Sequence, residues 1–324
     1  MAAPFPVSDH CDGRRFFNPR HDQQNKLRDI WRWKRSAHPT PWPLQPPVAR
    51  VIPEPLAPEN RFAATWIGQS TFLLQTHAGN LLTDPVFSER IGPANLIGPR
   101  RARAPGVAFD DLPSIDVVLL SHDHYDHCDR ASLRRLWRKH RPLAIAPLGN
   151  AAFFRAAGFP KDGIVELDWW QSHTIAAGLT LSLTPARHWC NRVIGTRNSR
   201  LWGGFFIKAP NVSAFFAGDT AYDDYMFHDI RYRLGAPDLA LLPIGAYEPR
   251  WFMAGQHCNP AESVQIHRDL GARQSLGMHW GTFPLTDEDF DAPPIALARA
   301  LTVAGLPAGT FLASNPGETL RLSN

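Results

Sequence analysis

Cysteine is scarce in this 324-residue chain. The four cysteines, Cys11, Cys128, Cys190 and Cys258, lie far apart and form no C-x-x-C pair. This spacing excludes the dense disulfide framework that is typical of small secreted domains. We therefore expect a protein of a reducing compartment, the cytoplasm.

Long apolar runs are also absent. Residues 1–10 contain no basic region followed by an apolar run, so we expect no signal peptide. The most apolar late stretch, residues 295–313, is interrupted by an arginine, a proline and two glycines. A bilayer-spanning helix needs about 20 predominantly apolar residues. The sequence thus predicts no transmembrane helix.

What the chain does contain is enough apolar material for a sizeable core, since 44% of its residues are hydrophobic. The formal net charge of +4 is compatible with an anionic partner. The basic residues form no long cluster, however, and we therefore expect no specific nucleic-acid partner.

The composition of the chain changes near residue 60. Residues 1–60 are rich in proline, basic and aromatic residues, and we interpret them as an N-terminal extension that packs on a core domain of residues 61–324. Periodicity in the core domain predicts strands over residues 62–67, 71–75, 80–83, 116–120, 179–184, 201–208, 212–217, 239–243 and 274–278. Helices are predicted over residues 24–36, 130–140, 149–157 and 260–270, the last opened by a proline.

The chemically distinctive run is Ser121-His122-Asp123-His124-Tyr125-Asp126-His127, which follows a predicted strand directly. Its H-x-H-x-D-H pattern offers imidazole nitrogens and a carboxylate, the donors that suit borderline divalent metal ions. A solvated polar loop is the alternative interpretation. Four clustered donors exceed the needs of one tetrahedral zinc ion that also binds water, and this favours a pair of ions.

Three further candidates follow predicted strands: His188, Asp219 and His279. Each residue alone is compatible with packing, a turn or a helix cap. Their common position in loops after strands favours a site, because a rigid sheet can hold such side chains together while leaving them accessible.

These seven residues together resemble the metal-binding residues of the metallo-β-lactamase superfamily. The resemblance implies an α/β fold, namely an αββα four-layer sandwich with two mixed sheets. It implies one ion at His122, His124 and His188. A second ion would lie at Asp126, His127 and His279, with Asp219 bridging the two. Such a bridging aspartate is common in the phosphodiesterases, thioesterases and lactonases of the superfamily, and is generally missing from its antibiotic-hydrolysing enzymes.

Longer stretches, over most of the chain, resemble the N-acylphosphatidylethanolamine-hydrolysing phospholipase D family. They are Thr83-Asp84-Pro85-Val86-Phe87-Ser88, Glu166-Leu167-Asp168-Trp169-Trp170, residues 184–190, residues 243–253, Gln256-His257 and His279-Trp280-Gly281-Thr282-Phe283. This resemblance implies a hydrolase that cleaves its lipid to N-acylethanolamine and phosphatidic acid, with Asp126, His257 and Gln256 in catalytic roles. Asp84 would orient a metal-binding histidine. The chain departs from the family pattern at Gln69, where many relatives carry histidine.

Several alternatives stay open. A soluble lactonase or another small-molecule phosphodiesterase would use the same scaffold, and a non-catalytic metal-binding scaffold would usually lack one of the seven residues. Two zinc ions are expected, although iron or manganese accepts the same donors. The basic and aromatic residues 31–35 fit either peripheral contact with a phospholipid membrane or packing on the core domain. A homodimer is also compatible with the sequence.

Overall fold

The computed structural model describes residues 4–21, 27–37, 40–43, 46–175, 178–193 and 195–323. Its strands are β1 (Asn60–Gly68), β2 (Thr71–Thr76), β3 (Gly79–Thr83), β4 (Val117–Leu119), β5 (Leu143–Pro147), β6 (Ile164–Leu167), β7 (Ser172–Ile175), β8 (Leu179–Thr184), β9 (Gly204–Ala209), β10 (Val212–Phe216), β11 (Leu239–Pro243), β12 (Gln274–Met278), β13 (Phe311–Leu312) and β14 (Thr319–Ser323). The helices in these ranges are α1 (Leu27–Ser36), α2 (Arg130–His140), α3 (Ala151–Ala157), α4 (Met226–Leu234), α5 (Arg250–Met253), α6 (Pro260–Leu270) and α7 (Ala292–Ala304).

The strands form two mixed sheets of seven strands each. The first has the order β14-β1-β2-β3-β4-β5-β6, and the second has the order β13-β12-β11-β10-β9-β8-β7. In the first sheet, antiparallel pairing runs from β14 to β3 and parallel pairing from β3 to β6. The second sheet is antiparallel from β7 to β10 and parallel from β10 to β13.

Strand β4 shows how the layers are built, because successive side chains of a strand point to opposite faces of a sheet. Val117 and Leu119 join the core that holds buried residues of both sheets. Val118 packs instead in a second core with residues of α2 and α3. Helices α4, α6 and α7 contribute buried residues to the side of the second sheet. The predicted αββα sandwich is confirmed.

Most predicted elements are confirmed, several of them to the residue, as for β8, β11, β12, α2 and α6. Helix α6 begins as its sequence predicts, with Pro260 in the first turn and a capping box between Asn259 and Glu262. The predicted strand over residues 201–208 is wrong at its start. Leu201 donates its N–H to Leu148, and Gly203 donates to Ser121, so these residues leave the ladder that begins at Gly204. The predicted helix over residues 24–36 has its first three residues outside the described ranges.

The N-terminal segment contacts the core through buried side chains. Phe16 and Cys11 are buried, and the His10 ring stacks on Trp169 with its Nε2 2.7 Å from an Asp168 oxygen. Near the site, Asn18 Nδ2 donates to the main-chain carbonyl of His188 at 2.9 Å. The division of the chain at residue 60 stays a prediction.

A search of the described residues for membrane spans found no helix that is long and apolar enough to be one.

Candidate metal centre

Loops that follow four strands bring the seven predicted side chains together at one edge of the sandwich. His122, His124, Asp126 and His127 follow β4, while His188, Asp219 and His279 follow β8, β10 and β12. All seven are buried except His124, which is half-buried. Their ligand atoms form two groups, each with all its atoms within 4.8 Å of one another: His122, His124, His188 and Asp219, and Asp126, His127, Asp219 and His279.

The first group is a triangle of imidazole nitrogens with a carboxylate beside it. His124 Nδ1 lies 2.9 Å from His122 Nε2 and 3.3 Å from His188 Nε2. Asp219 Oδ2 lies 3.8 Å from both of the Nε2 atoms.

The second group pairs two imidazoles with two carboxylates. Asp126 Oδ2 lies 3.3 Å from His127 Nε2 and 3.1 Å from His279 Nε2. Asp219 approaches the same nitrogens, at 3.1 Å from His127 and 3.2 Å from His279. Asp219 is therefore the residue that the two groups share.

The donor set fits a divalent metal ion. His127 Nε2 is buried and makes no hydrogen bond within the described ranges, although two carboxylate oxygens lie within 3.3 Å. Such crowding of buried nitrogen and oxygen donors is costly unless a cation lies among them. Imidazole and carboxylate are also the donors that zinc and similar ions accept.

The imidazoles of the first group are electrically neutral in the metal-free protein at neutral pH. Burial lowers the pKa of His122 and of His124 well below the usual value for histidine. Burial likewise lowers the pKa of His188 to about 4. Each of these neutral rings therefore has one nitrogen without a proton, which is the form that binds a metal ion.

The second group is different, because its rings face two carboxylates. Burial opposes the charged form of His127, but Asp219 and Asp126 raise its pKa well above the usual value. Against the same effect of burial, these carboxylates raise the pKa of His279 to about 9. The metal-free second group therefore holds protons at neutral pH.

Asp84 connects the two groups. Its Oδ2 accepts from His127 Nδ1 at 2.7 Å and from the Ser121 hydroxyl at 2.5 Å. The Ser121 hydroxyl oxygen lies 2.9 Å from His122 Nδ1. One carboxylate thus orients an imidazole of each group, which keeps their Nε2 atoms towards the cluster. The predicted contact of Asp84 with a histidine of the motif is confirmed.

Gln69 is not one of the seven residues, but it contacts two members of the second group. Its side-chain Nε2 donates to Asp126 Oδ2 at 2.9 Å, and its carbonyl accepts from the His279 N–H at 3.0 Å. The side-chain amide of Gln69 therefore supplies a hydrogen-bond donor to Asp126.

The turn that carries Asp219 requires a glycine. Gly218 has a φ of +60°, and a Cβ there would lie 2.7 Å from Ser121 Cβ. Glycine permits both the left-handed backbone and this close approach of the two loops. Asp219 consequently reaches the histidines that follow β4.

His257 lies beside the cluster and Gln256 presents its main chain to it. The Nδ1 atom of His257 is 3.9 Å from Asp219 Oδ2 and makes no hydrogen bond to a described residue. Burial lowers the pKa of His257 to about 3, so its ring is neutral. The Gln256 carbonyl accepts from His188 Nδ1 at 2.9 Å, whereas its side-chain Nε2 lies 3.3 Å from Met253 Sδ. The catalytic roles of Asp126, His257 and Gln256 stay predictions.

Two positioning residues were not predicted. Ser121 adjoins His122 in the motif, and its position just before the first histidine is a signal that could have identified it. Asn18 holds the His188 carbonyl from 170 residues away, and nothing in its sequence surroundings indicates that contact.

Known proteins are similar to this chain over more than half of its length. Residues 79–280 match the family described as "Beta-lactamase superfamily domain". N-acyl-phosphatidylethanolamine-hydrolyzing phospholipase D 1 of Caenorhabditis elegans is 36% identical over 255 residues, which are 76% of this chain and 72% of the relative. An uncharacterized protein of Mycobacterium tuberculosis is 40% identical over 278 residues, 83% of this chain and 73% of the relative.

Solved structures share the fold. The crystal structure of an isothiocyanate hydrolase from Delia radicum gut bacteria superposes with a TM-score of 0.64 at 21% identity, covering 81% of this chain and all of that one. Together with the sequence matches, these findings establish the class of protein. The chain belongs to the metallo-β-lactamase superfamily, as a metal-dependent hydrolase close to the N-acylphosphatidylethanolamine-hydrolysing phospholipases D.

Proposed function

We propose that this protein is a dinuclear-metal phosphodiesterase of the phospholipase D type, which hydrolyses N-acylphosphatidylethanolamine to N-acylethanolamine and phosphatidic acid. The observation that carries the proposal is the position of Asp219, whose carboxylate lies 3.8 Å from His122 and His188 and within 3.2 Å of His127 and His279. A carboxylate shared by two donor groups is what a pair of ions needs. The lipid substrate is proposed from the names of two relatives, from Caenorhabditis elegans and from Saccharomyces cerevisiae.

The proposed metal-binding residues follow the two groups of ligand atoms described above. His122, His124 and His188 would hold one ion, Asp126, His127 and His279 would hold the other, and Asp219 would contribute to both sites. Two zinc ions are proposed, with iron or manganese as substitutes that the same donors accept. When bound, such a pair lowers the pKa of water and neutralises charge on phosphoryl oxygens.

The reaction adds the oxygen of water to phosphorus and breaks the bond between phosphorus and the ethanolamine oxygen. One proton of the water ends on the departing N-acylethanolamine. His257 is neutral and half-buried beside Asp219, so its ring can accept or donate a hydrogen bond at the reacting phosphate without carrying a charge. Gln256 holds the His188 ring through its carbonyl.

Peripheral membrane contact is proposed for α1. Trp33 stacks on Phe252 at 5.0 Å and its indole N–H donates to Asp287, which fixes one side of the helix on the core. Trp31 is 68% exposed and lies among exposed arginines. Exposed tryptophan and arginine on one helix suit the boundary of an anionic lipid surface.

The test of the function is an assay of the zinc-loaded protein with N-acylphosphatidylethanolamine in mixed micelles, with mass-spectrometric detection of both products. His122→Ala removes a proposed ligand, and His173→Ala on β7 is a matched control outside the cluster. We expect hydrolysis by the wild type and by His173→Ala only. Lactones and nucleotide diesters are assayed in parallel as alternative substrates. Hydrolysis of a lactone without any release of N-acylethanolamine would overturn the lipid proposal.

A further inference from the structure

The segment after His188 forms a loop that begins and ends beside the metal centre. Its neck is closed by two hydrogen bonds between Cys190 and Asn198, at 2.8 Å from Asn198 N to the Cys190 carbonyl and 3.3 Å from Cys190 N to Asn198 Oδ1. Residues 189–200 of this loop, apart from residue 194, are described. A fixed neck holds the loop's side chains in a constant relation to His188.

Three arginines of the loop differ in what they contact. Arg192 donates to the main-chain carbonyls of Asp123 and Cys128, at 2.8 and 2.7 Å. Arg200 pairs with the Asp123 carboxylate at 3.0 Å. Arg197 is half-buried, pairs with no carboxylate of the described chain, and its buried Nε atom meets no acceptor there. Arg197 is therefore a cation of this loop that has no anionic partner among those residues.

Arg197 is joined to the metal centre through Trp189. The guanidinium carbon of Arg197 lies 4.3 Å from the centre of the Trp189 ring, a cation–π distance. The Trp189 ring lies 4.6 Å from the His124 ring and meets it edge to face. The indole therefore contacts the guanidinium and a proposed metal ligand at once.

A second buried N–H group along this contact has no acceptor among the described residues. The Trp189 indole nitrogen is buried and makes no hydrogen bond within the described ranges. Buried polar groups nearly always have partners. The Arg197 Nε–H and the Trp189 indole N–H, on two side chains that contact each other, therefore point to an acceptor that comes from outside the chain.

We propose that Trp189 and Arg197 form an anion subsite beside the metal centre, which binds a phosphate oxygen. The assignment of that oxygen to the substrate rests on the proposed phosphodiesterase function. Arginine suits this task because its planar fork stays charged and gives parallel hydrogen bonds to phosphate oxygens. A neutral lactone offers no matching charge, so the subsite selects anionic substrates.

The test measures binding of inorganic phosphate to the zinc-loaded full chain by isothermal titration calorimetry. Arg197→Gln removes the charge, Arg197→Lys keeps the charge but loses the fork, and Trp189→Phe keeps the ring but loses the N–H. Arg299→Gln makes the same charge change at an exposed position of α7. Zinc content and melting temperature are measured for every variant, so that loss of metal or of fold is recognised.

We expect Arg197→Gln to weaken phosphate binding by about tenfold or more, since a charged hydrogen bond has a value of that order. Arg197→Lys should lie between it and the wild type, Trp189→Phe should weaken binding several-fold, and Arg299→Gln should leave it unchanged. Wild-type affinity in Arg197→Gln, or no phosphate binding by the wild type, overturns the subsite. Equal losses in Arg197→Gln and Arg299→Gln do so as well.

Assays with N-acylphosphatidylethanolamine separate this inference from the proposed function. If the wild type does not hydrolyse the lipid but Arg197→Gln still weakens phosphate binding, the subsite stands and the lipid substrate is wrong. If the lipid is hydrolysed and the subsite is correct, Arg197→Gln raises KM by about the factor lost in phosphate affinity, whereas Arg299→Gln keeps the wild-type KM.

Discussion

The main-chain N–H of His279 donates to the carbonyl oxygen of Gln69 at 3.0 Å, and both residues have left-handed backbones with φ of 64° and 51°. Residues other than glycine adopt this region at a cost of about 1–3 kcal/mol, and they keep it where their surroundings impose it. Here the hydrogen bond between the two residues restrains both backbones. The side-chain amide of Gln69 also donates to Asp126. A residue outside the proposed ligand set therefore positions two of its members.

Gln69→Ala should lower metal affinity at the second group by about 10–100-fold, the usual effect of losing a hydrogen-bond partner of a ligand. Zinc titration with a competing chelator measures it. Gln274→Ala removes a glutamine whose amide bonds to Gly309 instead, and it should bind zinc as the wild type does. Equal affinities in Gln69→Ala and Gln274→Ala would contradict the role of Gln69.

Asp84→Asn should weaken metal binding at both groups, whereas Ser121→Ala should weaken it at the first group only. The aspartate orients His127 directly and His122 through the Ser121 hydroxyl. We expect Asp84→Asn to weaken both zinc-binding steps by about 10–100-fold, and Ser121→Ala to weaken only the step at His122. Stepwise zinc titration resolves the two steps, with Asp116→Asn as the control. A single common loss in both variants would show that Asp84 does not couple the groups in this way.

Uptake of metal should release protons from one group and not from the other. The pKa of His279 is raised to about 9 by Asp219 and Asp126 against the effect of burial, so the ring is protonated at pH 7 and must lose its proton to bind a cation. The first group has His188 with a pKa of about 4 and is already neutral. Calorimetry of zinc binding in two buffers of different ionisation enthalpy measures the release.

The release should fall as the pH rises through about 9, because the folded protein then holds His279 unprotonated before zinc arrives. Two zinc-binding steps whose heats are both independent of the buffer at pH 7 would contradict this difference between the groups.

His257→Asn should lower kcat by about 10²–10⁴-fold with unchanged zinc content, since the ring lies beside Asp219 without belonging to either group of ligand atoms. Gln256→Ala should lower kcat less than fivefold, on the order of a lost packing contact, because the contact with His188 uses the carbonyl that alanine retains. Steady-state assays and metal analysis on the same preparations measure both effects. A loss of zinc in His257→Asn would assign the residue to the ligands.

Trp31→Ser should reduce co-sedimentation with anionic phospholipid vesicles several-fold, because Trp31 is the exposed aromatic residue of α1. Tyr232→Ser changes another exposed aromatic residue, on α4, and should leave co-sedimentation unchanged. High salt should weaken the binding of the wild type by screening the arginines. Salt-independent binding that both variants retain would rule out α1 as the contact.

The sequence indicated the site better than it indicated the fold around it. Each of the seven residues lies in a loop that follows a strand with a clear apolar pattern, so their convergence could be predicted. Strand β13 has only two residues and β7 has partly exposed ones, and neither carries a periodic signal. Leu201 and Gly203 are buried but bond outside the ladder, which apolar character alone does not reveal.

Contacts made by the main chain were beyond prediction for a different reason. The resemblance implies a catalytic role for Gln256, and the contact that the structure shows at His188 is made by the Gln256 carbonyl. A carbonyl is common to every residue type, so the sequence holds no record of which one is used.

Asn18 makes the metal centre depend on a part of the chain that belongs to neither sheet. The amide that steadies the His188 carbonyl belongs to a stretch of chain that precedes the first strand of either sheet. The restraint on the third histidine of the first group thus comes from chain outside the strands of either sheet. Removal of that early stretch would take a restraint from the metal centre while leaving every strand of the sandwich in the chain.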